Sequence, residues 1–162
     1  LGVNFWDFMA GLLALIENPG EWKRLRENPL LIETAVDEIL RWTAPVIHFA
    51  RTATEDTVLH GRPIAKGETV AMFYPSANRD EEVFADPDSF RIDRAPNPHL
   101  TFGIGEHFCL GTPLARLELR ILFQQLMQRL EHAELSAAPE RLRANLVGGV
   151  KHLPIRYRLR PA

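Results

Sequence analysis

The sequence holds a single cysteine, Cys109, among 162 residues. An internal disulfide is therefore excluded, and the lone thiol fits a reducing compartment, so a cytoplasmic location is expected. Nor does any apolar stretch go far without interruption. The longest apolar region, Val3 to Ile16, is broken by Asn4, Asp7 and Gly11, short of the roughly eighteen uninterrupted residues a membrane helix needs. Neither sign of charge dominates: 19 Lys and Arg against 21 Asp and Glu leave a net charge of -2, without the basic excess a nucleic-acid partner requires. The chain opens without a methionine or a basic stretch, so no signal peptide is expected. No serine or threonine precedes Thr34. Repeats and low-complexity tracts are absent. What remains, 46% hydrophobic and 25% charged residues, is an ordinary globular composition. A compact chain of this length buries about 68–70% of its unfolded surface, enough for a core.

The stretch around the cysteine is unlike the rest. Phe102-Gly103-Ile104-Gly105-Glu106-His107-Phe108-Cys109-Leu110-Gly111 frames the thiol with three glycines and two phenylalanines and runs into a helical pattern. A lone cysteine is often a small buried hydrophobe. Here Gly103 and Gly105 permit positive φ, so the loop can bend tightly and present one side chain outward. Gly111 removes a Cβ where a flat group could lie against the backbone. A helix N-terminus immediately after the thiol favours its thiolate form. A bent loop holding a thiolate under a flat ligand is what cysteine ligation of haem iron requires.

Phe-Gly-x-Gly-x-His-x-Cys-x-Gly resembles, without a gap, the haem-binding signature of the cytochrome P450 monooxygenases. The resemblance implies that Cys109 is the proximal ligand of a haem b iron and that Phe102 packs beside its sulfur. It also places His107 near a haem propionate; the alternative is a loop histidine satisfied by a backbone carbonyl. Arg51 is implied to bridge a propionate beside His107, the alternative being a solvated charge on a strand. His99 either assists or hydrogen-bonds the neighbouring backbone. The implied cofactor set is Cys109, Phe102, Gly103, Gly105, His107, Gly111 and Arg51.

Glu38 and Arg41 stand i, i+3 on a predicted helix and so share a face. They resemble the family's Glu-x-x-Arg pair, with Arg94 as the third member of a structural triad that pins an irregular segment and retains haem. Two apolar segments, Pro45–Phe49 and Leu146–Val150, resemble those overhanging the haem, which marks Val46, Ile47 and Val147 as substrate-facing; the alternative is core strand. Family members that activate dioxygen usually carry an acid–threonine pair in the central helix. A gap-free count back from Pro19 puts Gly2 and Val3 there, so no catalytic residue is assignable in this chain.

The spacing of apolar residues predicts helices over 3–17, 20–27 and 30–42, ended by Asn18-Pro19, Asn28-Pro29 and Pro45. Strands are predicted at 48–52, 58–60 and 69–73, with turns at Gly61-Arg62-Pro63 and Lys66-Gly67-Glu68. Residues 75–101, rich in proline and aspartate, read as irregular. A helix from Leu110 to about Arg129 is predicted, carrying Leu114, Leu117, Ile121 and Leu122 on one apolar face, and residues 133–160 read as short strands around Gly148-Gly149. The expected fold is α+β and mainly α, with small β-sheets, the C-terminal haem-side part of the cytochrome P450 fold, and residues 1–162 form a single partial domain.

The resemblance implies hydroxylation of an apolar small molecule, such as a steroid or lipid, with electrons from a ferredoxin-type redox partner. Ser76–Glu81 and Asn97–Leu100 look like runs in soluble bacterial members with such substrates. Arg116 and Arg120 are candidates for the partner's docking face, or else belong to a solvated helix face bridged by Glu118. The competing expectation is a truncated haem-binding remnant without turnover.

Overall fold

The computed structural model describes the backbone of residues 2–161 and the side chains of residues 5–161. Three helices meet first. Helix α1 (Gly2–Glu17) buries Leu12, Leu13, Ala14 and Leu15 and closes where Asn18 returns a side-chain hydrogen bond to Ala14 O at 2.8 Å. Pro19 then opens α2 (Pro19–Glu27) at a position that needs no N–H donor, and Trp22 and Leu25 turn inward. A 3₁₀ turn, Pro29–Leu31, leads into α3 (Ile32–Thr43), two residues later than the apolar spacing alone suggests. Ile32, Ala35, Val36, Ile39 and Leu40 form its buried face, and Ala44 ends it in the left-handed region just before Pro45.

Strands β1 (His48–Thr52) and β4 (Thr69–Phe73) pair antiparallel, and between them β2 (Thr57–Leu59) and β3 (Arg62–Ile64) form a hairpin. Arg62 and Pro63, expected in the turn, belong to β3. The positive φ values fall on His60 and Gly61, and a two-residue loop with both central residues at positive φ matches strand twist. Pro63 is tolerated because the hairpin has only two strands and leaves it at an edge. The one-turn helix α4 (Tyr74–Ala77) precedes a long irregular segment. The chain ends in helix α5 (Thr112–Arg129) and two further pairs: β5 (Leu130–Leu135) with β8 (Ile155–Leu159), and β6 (Glu140–Arg141) with β7 (Val150–His152).

Helix α5 corrects the sequence reading most. It begins at Thr112, not Leu110, and its inward face is Ala115, Leu119 and Phe123. Leu114, Leu117, Ile121 and Leu122 are between 40% and 58% exposed. Apolar residues occupy more than one side of this helix, so periodicity could not say which side meets α1 and α3. Shape selects it: Phe123 packs where Gly11 of α1 removes a side chain. A Cβ on Gly11 would lie 2.6 Å from Ile39 Cγ2 and 2.9 Å from Phe123 Cζ. Gly11→Ala is therefore expected to destabilise by about 1–3 kcal/mol through overpacking, partly offset by about 1 kcal/mol of helix propensity. Gly20→Ala, in α2 with nothing within 4 Å of its Cβ, is the control and should be neutral or slightly stabilising. Thermal denaturation of the two variants checks the contrast.

Candidate cofactor-binding site

The cysteine loop is closed by its own backbone. Gly103 and Gly105 adopt φ of 73° and 75°, Gly103 N donates to Leu100 O at 2.8 Å, and Cys109 N donates to Phe102 O at 3.0 Å. Between these points Gly105–His107 makes a 3₁₀ turn. Cys109 O is in turn capped by Thr112 Oγ1 at 2.7 Å. The thiol is consequently left exposed on the outside of a tight bend. At Gly111 a Cβ would stand 3.7 Å from Cys109 Sγ, so the glycine keeps the space beside the sulfur open.

The bend forms one wall of a cavity of about 740 Å³. Cys109, Phe102, Gly103, His107 and Gly111 line it, with Arg51 and Val46 from the β1 side and Leu114 and Ala115 from α5. Gly105 does not line it and serves the turn. Arg51 donates only to Ala50 O, at 3.0 Å, and pairs with no carboxylate among the described residues. His107 is exposed. An exposed thiol, an uncommitted guanidinium and an imidazole around a largely apolar hollow suit a flat, apolar macrocycle with an anionic edge, and the donor chemistry fits haem iron.

Two residues expected to face the substrate lie elsewhere. Val46 and Val147 form an isolated antiparallel bridge, and Val147 is not in the cavity wall. Ile47 points to the opposite side, toward a smaller cleft of about 340 Å³ where its Cδ1 would lie 3.6 Å from a Cβ at Gly148. Successive residues of an extended segment alternate sides, so Val46 and Ile47 could not both face one space. His99 meets neither expectation. Its side chain is buried, with Nε2 3.6 Å from Asp37 Oδ1, and neither ring nitrogen has a hydrogen-bond partner among the described residues. Arg116 Nε donates to the same Asp37 oxygen at 2.8 Å, and Arg120 pairs with Glu33 at 2.7 Å. These two arginines thus tie α5 to α3. Burial would raise the Asp37 pKa, but contact with His99 and Arg116 outweighs it and holds the carboxyl below its usual range.

Behind the loop, the irregular segment is organised by one carboxylate. Glu38 accepts from Arg41 at 2.7 and 2.8 Å, from Arg94 Nε at 3.1 Å, from Arg91 N at 2.9 Å and from Asn97 Nδ2 at 3.2 Å. Arg41 then donates to Asn78 O, Pro87 O and Ser89 O, and Arg94 to Ala85 O, Asp86 O and Ser89 O. Glu38 and Arg41 are fully buried. Backbone without regular structure needs partners for its carbonyls, and the two guanidiniums supply them.

Two positions that shape the site escape the sequence reading. Asn78, fully buried, donates to Arg41 O and Thr101 Oγ1 and accepts from Leu100 N at 2.7 Å, so it clamps α3 to the residues leading into the cysteine loop. Asp7, visible in the sequence only as a break in an apolar run, lies in the cavity wall. It is 1% exposed, and burial raises its pKa to about 7, opposed by a hydrogen bond from Thr43 Oγ1 to Oδ1 at 2.5 Å. The gap-free count points instead to Gly2 and Val3, whose side chains lie outside the described residues.

A family model described as Cytochrome P450 matches residues 11–158. Among curated proteins, Cytochrome P450-terp of Pseudomonas sp is 49% identical over 148 residues, covering 91% of this chain and 35% of that protein. Steroid C26-monooxygenase of Mycolicibacterium smegmatis is 46% identical, covering 90% of this chain and 37% of its own length. The crystal structure of CYP108D1 from Novosphingobium aromaticivorans superposes with a TM-score of 0.91 at 40% identity, over 98% of this chain and 38% of that one. The chain spans little more than a third of these relatives.

Proposed function

The chain belongs to the cytochrome P450 family, and from that premise we propose that Cys109 ligates the iron of haem b in the 740 Å³ cavity. The observation that carries this reading is the exposed thiol on a glycine-bent hairpin, facing an apolar hollow with a cationic rim. Haem in this family supplies oxygen insertion into unactivated C–H bonds, and a thiolate ligand favours O–O cleavage. The chain's own residues bind and orient. Phe102 and Gly111 flank the sulfur, and Gly103 and Gly105 set the bend. Arg51 and His107 hold the anionic edge of the porphyrin. Glu38, Arg41 and Arg94 keep the irregular segment folded behind it and do not touch the reacting atoms.

The substrate is an apolar small molecule, a steroid or lipid, seated near Val46, where apolar walls exclude water. A relative named for steroid C26 oxidation supports that choice. Electrons come from a ferredoxin-type redox partner. Among the described residues no helix is long and apolar enough to cross a membrane.

Two experiments bear on this reading. In the full-length haem-loaded protein, Arg51→Ala should speed haem transfer to a scavenger about tenfold, as expected for loss of one charge-assisted hydrogen bond; an unchanged rate would remove Arg51 from the site. Incubation with steroids, fatty acids and monoterpenes should give hydroxylated product with a ferredoxin and its reductase. Absence of product from every compound, with peroxide also supplied, would reject the monooxygenase reading.

A further inference from the structure

Asp7 is an anomaly of α1. A buried carboxylate is strongly disfavoured unless a cation or several donors neutralise it, and among the described residues no Lys or Arg pairs with Asp7. Among the described residues one side-chain donor reaches it, the Thr43 hydroxyl from α3, at 2.5 Å. If the pair served only to hold α1 against α3, two apolar side chains would do so without the burial penalty. A carboxyl in a cavity wall, poised to gain or lose its proton near neutrality, has the properties of a group that exchanges protons with the cavity's contents.

The positions of the two residues add a route. Asp7 lines the large cavity, whereas Thr43 lines the smaller cleft, where Glu17, Arg79 and Arg141 also sit. The hydrogen bond thus spans the partition between them. A hydroxyl donates and accepts at once, so Thr43 can pass its proton to Asp7 while taking another from water.

We propose that Asp7 is the proton-exchanging residue of the large cavity, and that Thr43 Oγ1 reconnects it with water in the smaller cleft. The proton on the Asp7 carboxyl passes to an acceptor atom of the bound molecule. The resulting carboxylate is held by the Thr43 O–H, then reprotonated through it from the cleft. Each proton delivered is drawn from solvent and the pair returns to its starting state. The inference rests on the cavity being the haem site.

The test uses the full-length haem-loaded protein with carbon monoxide as the probe, following the C–O stretch by infrared spectroscopy against pH. Among the described residues, the other titratable groups around the cavity are Arg51, Tyr74, His107 and Cys109. The stretch should shift with a midpoint near 7 in the wild type. Asp7→Asn should abolish the shift. Thr43→Val, which removes the bond that lowers the Asp7 pKa, should move the midpoint upward, whereas Thr43→Ser should not. The proposal is overturned by a profile that survives Asp7→Asn. Should Asp7→Asn fail to fold, an unmoved midpoint in Thr43→Val overturns it equally. A sample lacking the red-shifted Soret band of thiolate-ligated haem rejects the haem reading itself; a sample with that band and no pH-dependent shift rejects only the role of Asp7.

Discussion

Glu38→Ala is expected to remove on the order of 3–5 kcal/mol of stability and to leave full-length protein that does not retain haem. The deletion would strand Arg41 and Arg94 as two buried cations facing each other, with Arg91 N and Asn97 Nδ2 also losing their acceptor. A folded domain typically has about 5–15 kcal/mol in reserve, so the loss takes a large share of it. The damage would reach the cofactor site because the carbonyls bound by the two arginines belong to residues 78–89, and Asn78 couples that segment to Thr101 beside the cysteine loop. Glu38→Gln keeps acceptor geometry on one side and loses the charge, so its defect should be smaller. Denaturant titration together with the haem-to-protein ratio measures both. A stable, haem-loaded Glu38→Ala variant would show that the network does not hold the site.

Asp7→Asn should act in the opposite direction, raising stability, and only at neutral to alkaline pH. The Asp7 carboxyl is raised to about 7 in the folded chain by burial, against about 3.9 when unfolded. Between these values the folded state holds a proton that the unfolded state has released. Stability therefore falls as pH rises from about 4 to about 7 and is level above that. A difference of about three pH units corresponds to about 4 kcal/mol. The amide that replaces the carboxyl cannot ionise, so the variant should lose this slope and exceed the wild type above pH 7, with little difference near pH 4. Urea unfolding of the haem-loaded protein at acid and alkaline pH checks the sign. A variant less stable than wild type at alkaline pH would mean that Asp7 is a carboxylate with a stabilising partner.

Chemistry concentrated in a short stretch was legible from the sequence, and side-chain direction across longer distances was not. Gly103 and Gly105 signal a bend because only glycine takes those φ values freely, and both do adopt them. Glu38 and Arg41 are paired by helical spacing alone. By contrast, α5 carries leucine and isoleucine on several sides, and the inward face of Ala115, Leu119 and Phe123 shows only in the packing, where Phe123 meets the notch at Gly11. His60 carries positive φ without being a glycine, so glycine and proline positions alone put the β2–β3 turn too late in the chain. Asp7 looks like an interruption of an amphipathic pattern. Its meaning depends on Thr43, 36 residues away, and on a cavity formed mainly by residues beyond position 45.

The most direct measurement is the optical spectrum of reduced, carbon-monoxide-treated full-length protein, compared with its Cys109→Ala variant. The wild type should show the strongly red-shifted Soret band of thiolate-bound haem, and the variant should lose that band and most of its pigment. A Cys109→Ala protein that takes up haem normally and keeps the red-shifted band would contradict ligation through this sulfur.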